Sequence, residues 1–492
     1  MESDVNRPNI LLIVTDQQRG DCLGLAGHPV LRTPNMDYIG GAGTHFTRGY
    51  SEVPSCIPAR HVLMSGQSAD VSGMVGFYYR SEDSTWQPEA TLPGELRRAG
   101  YETRLIGKLH LQPRRRRWGF DAMELADGIG GEDNDYADWL RERVPEDQLQ
   151  AAHGVGSNSW VGRPSHLPEH LSYSAWVVTR ALEYLEKRDP STPFFLNLSF
   201  FPPHPPLAPS RVFYERYAAL DLPQPVIGDW VDPLPPGASL GLDPLGGSQR
   251  LHLDPLTMHY CRAAYYGLIN EIDAQLGRLF NAIRGSLLTN TFVMFVSDHG
   301  EMLGDHHLFA KTEPFEASAR IPFMAMAPQP GRGKVNAEFP SGISCDAPIG
   351  LQDVMPTLLD AAGVPIPASV TGRSLLPFMR GERPEWRDAL HGEHSTWRTT
   401  DSGTHWLVTA THKYIWYSQT AEELLFDLAA DPNELHDLSG EHDLEPWRRR
   451  MIEALADRPE GFTDGQRLIA GQPHRAFVPG KGPVVEWPDV GR

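Results

Sequence analysis

Four predicted strands end in polar side chains that can bind a metal ion or transfer a proton. Each strand is a short apolar run, the type that is buried on both faces of a parallel sheet. In chain order, the polar residues that follow these runs are Asp16 and Gln17, Lys108 and His110, His204, and Asp298 and His299. Carboxyl ends of parallel strands meet at one edge of a sheet, where ligands bind. The sequence therefore predicts one polar site at that edge.

Two of these strand ends carry donors that suit a divalent ion. Asp16 and Asp298 offer carboxylate oxygens, while Gln17 adds an amide oxygen and His299 an imidazole nitrogen. Ions such as Ca²⁺, Mg²⁺ or Mn²⁺ accept such ligands. Either Asp alone is better interpreted as a helix cap. Two such pairs, one near each end of the domain, favour a metal site.

Cys56 lies just before Pro58, a residue that fits the first turn of a helix. The N-terminus of a helix favours anions and lowers the pKa of a thiol. A buried, inert cysteine is an equally good interpretation of Cys56 alone. Thiolate phosphatase chemistry is disfavoured, because its loop needs an arginine six residues after the cysteine and Val62 stands there.

The run Cys56, Ile57, Pro58, Ala59, Arg60 resembles the sulfatase signature Cys-x-Pro-x-Arg, in which the cysteine is oxidised to formylglycine after synthesis. This signature is highly specific. Less specific segments resemble the same family in order along nearly the whole chain: residues 7–10, 16–17, 107–110, 297–300, 311, 353–357, 423–428 and 431–434. The chain is thus similar to formylglycine-dependent sulfatases of the alkaline phosphatase superfamily.

The resemblance implies that Cys56, as formylglycine, is both the nucleophile and a metal ligand. One hydroxyl of its hydrated aldehyde would attack sulfur. The implied cofactors are formylglycine and one divalent metal ion, with Ca²⁺ favoured over Mn²⁺ or Mg²⁺. The other implied metal ligands are Asp16, Gln17, Asp298 and His299.

The resemblance also implies roles for five further residues. Arg60 would steady the formylglycine. Lys108 and Lys311 would hold the sulfate oxygens, while His204 and His110 would lie near the leaving-group oxygen and the diol. The implied partners are a small-molecule sulfate ester and a formylglycine-generating maturation enzyme.

Two residues differ from those common in many arylsulfatases, and they indicate a branch of the family. Gln17 stands where an Asp is common and His299 where an Asn is common, which resembles choline sulfatases and phosphonate monoester hydrolases. A phosphonate monoester or phosphodiester hydrolase is therefore the alternative function. The pair Lys108 and His110 favours sulfate esters, because that pair is altered in the phosphonate hydrolases.

Strands that alternate with helical patterns predict an α/β fold with a mostly parallel sheet flanked by helices. The resemblance makes this an alkaline-phosphatase-like catalytic domain over residues 1–380. Residues 381–492 are predicted to form a smaller C-terminal α+β subdomain with a small antiparallel sheet. Residues 201–255, rich in Pro and Gly, are predicted to form long surface loops.

The composition limits the partners that the protein is expected to bind and the compartment in which it is expected to act. The formal charge of −19 argues against nucleic acid. The four cysteines form no CxxC pair, and no apolar stretch approaches the roughly 20 residues of a membrane span. A cytoplasmic protein is expected, and a homo-oligomer stays open. A non-catalytic anion-binding scaffold, which requires Cys56 to stay unmodified, is the rival from another class.

Specificity for the alcohol part of the substrate is expected in three loops, at residues 77–86, 111–132 and 153–170. The run Arg114–Arg117 lies in the second of them. A solvated loop is the favoured interpretation of this run, and a contact with an anionic substrate group is the alternative. The acidic chain favours a small ester over a long sulfated polysaccharide.

Overall fold

The computed structural model describes residues 7–77, 86–149, 154–156, 158–242, 249–285, 287–329, 336–395 and 403–481. Numbered in chain order, its strands are β1 (Asn9–Asp16), β2 (Thr44–Phe46), β3 (Gly49–Tyr50), β4 (Glu102–Gly107), β5 (Ala122–Leu125), β6 (Phe194–Pro203), β7 (Ser239–Leu242), β8 (Gln249–Leu251), β9 (Thr291–Ser297), β10 (Leu308–Phe309), β11 (Phe323–Met326), β12 (Ile343–Cys345), β13 (Ile349–Gly350), β14 (Leu390–Ser395), β15 (Gly403–Val408), β16 (His412–Tyr417) and β17 (Glu423–Asp427). Its α-helices are α1 (Pro34–Ala42), α2 (Cys56–Ser65), α3 (Ala69–Ser72), α4 (Leu92–Arg98), α5 (Asp135–Arg141), α6 (Tyr173–Lys187), α7 (Arg211–Ala218), α8 (Pro255–Ile283), α9 (Glu316–Ala319), α10 (Val354–Ala361), α11 (Leu376–Met379) and α12 (Glu445–Ala454).

The central sheet has the strand order β12-β2-β11-β9-β1-β6-β4-β5. Strand β1 lies in its middle and pairs in parallel with both β6 and β9. Every residue of β1 is buried, as the uninterrupted apolar run predicts. Strand β11 runs antiparallel to its neighbours β2 and β9. The predicted α/β fold with a mostly parallel sheet is confirmed.

Helices cover both faces of this sheet and enclose two apolar cores. Successive residues of a strand point to opposite faces. Accordingly, Leu11 and Ile13 of β1 pack in one core with α1, α6 and α8, whereas Ile10 and Leu12 pack in the other with α2, α4 and α10. Both faces of the strands are therefore packed against apolar side chains. The polar groups lie where the strands end.

Residues 201–255, predicted as long loops, are more ordered than expected. They contain helix α7 and the short strands β7 and β8. Helix α7 escaped prediction because it is mostly polar: Tyr217 is its one buried side chain, and the helix packs along α8. That part of the prediction was wrong.

Strands β14 to β17 form a separate antiparallel sheet near the C-terminus. Its edge strand β14 contacts the segments before and after helix α2 directly. The backbone N–H of Glu393 donates to Glu52 O at 2.8 Å, and that of Ser395 donates to Val75 O at 2.8 Å. The antiparallel sheet agrees with prediction, while the boundary at residues 380–381 stays a prediction. None of the described helices has both the length and the apolar character needed to cross a membrane.

The run Arg114–Arg117 lies in a mostly exposed loop. Arg114 contacts Asp127 at 3.0 Å, and Arg115 forms ion pairs with Asp133 and Asp135. These carboxylates neutralise the charges of two of the arginines. The arrangement agrees with a solvated loop and gives no support to a substrate contact.

Gly107 ends β4 and sets the position of Lys108. Its φ of 110° suits glycine, and a Cβ atom there would overlap the carbonyl oxygen of Ser199. We expect Gly107→Ala to destabilise the protein by about 2 kcal/mol more than Gly100→Ala. Gly100 is the matched control, because its φ is 93° and a Cβ atom added to it would have no other atom within 4 Å. Urea unfolding measures both, and equal losses would show that the close approach to Ser199 does not matter.

Candidate active site

The ends of four neighbouring strands bring their polar side chains to one edge of the sheet. Asp16 is the last residue of β1, Lys108 follows β4, His204 follows β6 and Asp298 follows β9. Because β4, β6, β1 and β9 are adjacent and parallel, their carboxyl ends meet. All four side chains are buried, and those of Asp16 and Asp298 have no exposed surface.

Cys56 reaches this edge from the other direction, as the first residue of helix α2. Ser55 precedes it in an extended conformation, and every residue of α2 is buried. The Cys56 Sγ lies 3.2 Å from His299 Nε2 and 3.7 Å from Asp16 Oδ1. The partial positive charge of the helix N-terminus therefore faces the carboxylates.

Asp16, Cys56, Asp298 and His299 bring one ligand atom each within 4.8 Å of one another. His299 Nε2 lies 3.5 Å from Asp16 Oδ1 and 3.6 Å from Asp298 Oδ1. Metal–ligand bonds of about 2.0–2.5 Å place neighbouring ligands roughly 3–4 Å apart. The spacing of these four atoms thus suits one shared cation.

The tautomer of His299 also suits a metal. Its Nδ1 lies 2.9 Å from the backbone carbonyl oxygen of Gly300, which can only accept, so Nδ1 carries the proton. Nε2 faces Cys56 and the two carboxylates; burial acts to lower the pKa of His299, but Asp298 and Cys56 raise it, and a bound cation would replace the Nε2 proton. A backbone acceptor behind the ring is the usual way in which proteins orient a metal-binding histidine.

Two carboxylates buried together need compensation. Burial raises the pKa of Asp298, and the neighbouring Asp16 raises it further. Burial also acts to raise the pKa of Asp16, but Lys108 and His299 outweigh it and bring that pKa to about 2. Lys108 Nζ donates to Asp16 Oδ2 within this buried pair. A divalent cation would relieve the remaining repulsion.

Arg60 connects three elements of the site. From helix α2 its Nε donates to Asp298 Oδ2 at 2.9 Å. Its Nη1 donates to Lys108 O at 2.8 Å and to Ser199 Oγ at 2.9 Å. The guanidinium is buried and always charged. Arg60 therefore fixes α2, and with it Cys56, against the ends of β4 and β9.

A second cationic group lies on the opposite side of the site. Lys311 Nζ donates to Gln17 Oε1 at 2.7 Å and lies 2.8 Å from His204 Nε2. His204 Nδ1 lies 2.7 Å from Pro205 O, so Nδ1 is the protonated nitrogen and Nε2 accepts from Lys311. Burial and Lys311 lower the pKa of His204, which keeps the imidazole neutral.

The charged groups around Cys56 lower the pKa of its thiol. Burial acts to raise its pKa, but Lys108, Lys311 and His299 together hold it well below the usual value. A hydrogen bond from the His110 side chain acts in the same direction. An anion is therefore stabilised at this position.

The structure brings together every residue that the sequence singles out for the site. Gln17 differs from the prediction in one detail. Its side chain accepts a hydrogen bond from Lys311 and donates one to the carboxylate of Glu301. Glu301 was missed by sequence reasoning; it also accepts the backbone N–H groups of Leu303 and Ala310. Its place directly after the Asp298 strand end was the available signal. Of the predicted specificity loops, residues 78–85, 153 and 157 lie outside the described residues.

Comparisons with known proteins agree on one family. A family model described as Sulfatase matches residues 8–364, and a model described as N-sulphoglucosamine sulphohydrolase, C-terminal, matches residues 304–460. An arylsulfatase of Clostridium perfringens is 38% identical over 95% of this chain and 98% of its own length. A multifunctional alkaline phosphatase superfamily protein, PehA, of Trinickia caryophylli is 30% identical over 89% of this chain and 92% of its own. The crystal structure of a phosphonate monoester hydrolase of Agrobacterium radiobacter superposes with a TM-score of 0.73 at 25% identity, covering 92% of this chain and 95% of that one.

A second buried group of metal-binding residue types, Glu393, His405 and His474, lies in the C-terminal sheet region. Here Arg458 Nη1 donates to both carboxylate oxygens of Glu393, each at 2.6 Å. The rings of His405 and His474 are stacked at an angle of 1°. Stacked imidazoles cannot both direct in-plane lone pairs at one ion. This cluster is better described as a buried ion-pair network.

That network should contribute strongly to stability. We expect Arg458→Met to cost about 3–5 kcal/mol of unfolding free energy, because it leaves the Glu393 charge buried without its partner. Arg448→Met, which removes an exposed pair with Glu423, should cost under about 1 kcal/mol.

The loss from Arg458→Met should also depend on pH. Burial acts to raise the pKa of Glu393, but Arg458 and His474 hold it well below its usual value. The stabilisation is therefore complete above the unfolded pKa of about 4.3 and is lost as pH falls through the lower folded value. Without Arg458 the pKa of Glu393 rises, so the difference in stability between the two proteins shrinks on acidification. Urea unfolding across pH tests this, and a difference that stays constant with pH would contradict it.

Proposed function

The chain belongs to the sulfatase family, and from that premise we propose that it hydrolyses a sulfate monoester with formylglycine at position 56 as the nucleophile. The observation that carries the proposal is the placement of Cys56. Its Sγ lies at the N-terminus of α2, 3.2 Å from His299 Nε2 and beside two buried carboxylates. A side chain there can both bind a cation and meet an anionic substrate.

Asp16, Asp298, His299 and residue 56 would hold one divalent ion, either Ca²⁺ or the alternatives Mn²⁺ and Mg²⁺. Bound there, the ion would lower the pKa of the attacking hydroxyl and offset the charge that develops on the sulfate oxygens. Gln17 would complete the set if its side chain turned from Lys311 toward the ion. Arg60 supports this site by holding Asp298 through its own hydrogen bond.

Formylglycine at position 56 would supply a geminal diol: attack of one hydroxyl on sulfur would release the alcohol, and loss of the proton of the other hydroxyl would reform the aldehyde and release sulfate. His110, whose side chain hydrogen-bonds to the Cys56 sulfur, is placed to take that proton. General bases act at hydrogen-bond distance from the proton they remove. The second hydroxyl of the diol would thus have a base beside it.

The two lysines would hold the sulfate group from either side. Lys108 approaches from β4 and Lys311 from the loop after β10, and both lower the pKa of the Cys56 thiol through their charge. Preorganised cations of this kind stabilise anionic transition states because they need no rearrangement during the reaction. The Lys311 ammonium, held by its hydrogen bond to neutral His204, would be placed to give a proton to the leaving-group oxygen.

Burial of Cys56 constrains its maturation. The residue is 1% exposed and sits in a helix whose residues are all buried. A formylglycine-generating enzyme, the partner we propose, would therefore need to act before the chain folds. The four free, buried cysteines agree with a reducing compartment. We accordingly propose a cytoplasmic location.

Phosphonate monoester or phosphodiester hydrolysis is the second candidate. The likeness to a phosphonate monoester hydrolase at a TM-score of 0.73 favours it. Both reactions pass through transition states with anionic oxygens that the same cations could hold. Lys108 and His110 favour the sulfate ester.

The test compares phenyl sulfate with a phenyl phosphonate monoester, using protein produced together with a formylglycine-generating enzyme. We expect the larger kcat/KM on the sulfate, with release of inorganic sulfate as the readout. Cys56→Ala should lower kcat by about 10³-fold or more, because the nucleophile is lost.

Cys345→Ala is the matched control, because this buried cysteine lies on strand β12, outside the site. It should keep its activity. Mass spectrometry of the tryptic peptide spanning residues 49–60 should show an aldehyde in place of the thiol in active protein. A larger kcat/KM on the phosphonate, or full activity in Cys56→Ala, would overturn the proposal.

A further inference from the structure

Before any oxidation of Cys56, the candidate metal site has a sulfur atom among its donors. His299 adds a nitrogen, and Asp16 and Asp298 add carboxylate oxygens. Thiolate and imidazole ligands favour Zn²⁺, whereas Ca²⁺, Mg²⁺ and Mn²⁺ prefer sites built from oxygen. Formylglycine would replace the sulfur with oxygen. Oxidation of Cys56 therefore changes the donor atoms and, with them, the ions that the site favours.

Each carboxylate has one oxygen held by a cation and the other directed at the cluster. Lys108 Nζ donates to Asp16 Oδ2, and Arg60 Nε donates to Asp298 Oδ2 at 2.9 Å. The remaining oxygens, both Oδ1, lie 3.5 and 3.6 Å from His299 Nε2. Groups that hydrogen-bond behind the ligands orient them toward an ion. Asp16 and Asp298 are thus arranged to bind through one oxygen each.

The distances between the ligand atoms fit a tetrahedral zinc ion. Zinc bonds of about 2.3 Å to sulfur and 2.0–2.2 Å to nitrogen or oxygen place tetrahedral neighbours roughly 3.3–3.7 Å apart. Cys56 Sγ lies 3.2 Å from His299 Nε2 and 3.7 Å from Asp16 Oδ1. The distances from Nε2 to the two carboxylates, 3.5 and 3.6 Å, also agree with this geometry.

The Gln17 side chain turns away from this cluster. Its Oε1 accepts from Lys311 at 2.7 Å, and its Nε2 donates to Glu301. Four ligands then remain at the site: one sulfur, one nitrogen and two carboxylates. Zinc held by protein ligands alone is almost always four-coordinate, whereas Ca²⁺ takes about six to eight oxygens. The cysteine form therefore suits zinc in the number of its ligands as well as in their type.

We propose that the chain with unmodified Cys56 binds Zn²⁺ through the thiolate, and that oxidation of Cys56 to formylglycine shifts the site toward ions that prefer oxygen. When zinc binds, the Cys56 sulfur forms a bond to the ion. The thiol proton passes to the solvent, together with any proton on His299 Nε2, and no electrons are transferred. The proposal rests on the proposed function only for the oxidation of Cys56, and it adds an immature zinc form of the protein.

Cobalt spectroscopy tests the sulfur ligand, because Co²⁺ occupies zinc sites and absorbs visible light. The protein is produced without a formylglycine-generating enzyme, and mass spectrometry of the peptide spanning residues 49–60 verifies the thiol. We expect a sulfur-to-cobalt charge-transfer band and the intense visible bands of four-coordinate cobalt. An equimolar amount of Zn²⁺ should abolish both, whereas about a 100-fold excess of Ca²⁺ should leave them unchanged.

The variant Cys56→Ser replaces the sulfur with an oxygen of similar size. Loss of a group behind a ligand already weakens metal binding about 10–100-fold, so loss of the ligand itself should weaken Zn²⁺ binding at least about 100-fold. The charge-transfer band should disappear as well. Cys345→Ser is the matched control, because this buried cysteine lies on strand β12, outside the cluster. It should keep both the band and the zinc affinity.

X-ray absorption at the zinc edge needs no variant. In the wild-type thiol form it should show one sulfur ligand at about 2.3 Å and lighter ligands at about 2.0–2.2 Å. A shell of nitrogen and oxygen alone would overturn the proposal. A charge-transfer band that survives Cys56→Ser, or that Cys345→Ser removes, would do the same.

The mature protein tests the change in preference. After production together with a formylglycine-generating enzyme, it should show no charge-transfer band, and the ratio of its Zn²⁺ affinity to its Mn²⁺ affinity should fall at least about tenfold. An unchanged ratio would contradict the proposal.

The two proposals can fail separately. A zinc–sulfur bond in the thiol form, with no sulfate release by the mature protein, would support the zinc site and reject the sulfatase function. Sulfate release by the mature protein, with no zinc–sulfur bond in the thiol form, would reject the zinc site alone.

Discussion

The mutual repulsion of two buried carboxylates, Asp16 and Asp298, is the constraint on which the site depends. They stand at the ends of adjacent parallel strands, β1 and β9, without exposed surface. Buried charges of like sign persist only when cations or protons compensate them. Lys108 and Arg60 supply part of the compensation, one for each carboxylate. The ligand atoms of His299 and Cys56 complete a set that suits a further cation.

The same constraint explains the placement of helix α2. Arg60 can reach Asp298 only if α2 lies across the ends of β4 and β9, and this places Cys56 at the cation site one turn earlier. The C-terminal sheet secures the helix from outside, because His394 Nε2 lies 3.0 Å from Ser55 Oγ, next to Cys56. The nucleophile position is thus fixed both by the ion-pair network and by packing against β14.

Much of the fold and of the candidate site could be predicted from the sequence, because the patterns that indicate them are local. Uninterrupted apolar runs indicate strands buried on both faces, and Asp16 and Asp298 directly follow two of them. The spacing of Cys56 and Arg60 carries the family signature. These features can be recognised in the sequence without knowledge of the rest of the fold.

Other features depend on distant segments and leave no local pattern. The contact of His394 with Ser55 joins residues 339 positions apart. The ring contact of Trp160 with Phe309 joins a loop to strand β10. Glu301 was visible after the Asp298 strand end, but its role in fixing Gln17 requires the geometry of the folded site. Helix α7 was missed because a polar surface helix resembles a loop in composition.

The central claim is that one cation joins Asp16, Asp298, His299 and residue 56. Anomalous diffraction from crystals of the mature protein grown with Mn²⁺ tests it most directly. The account predicts a strong peak within bonding distance of all four side chains. A peak at Glu393, His405 and His474 instead, or no peak among the four predicted ligands, would contradict it.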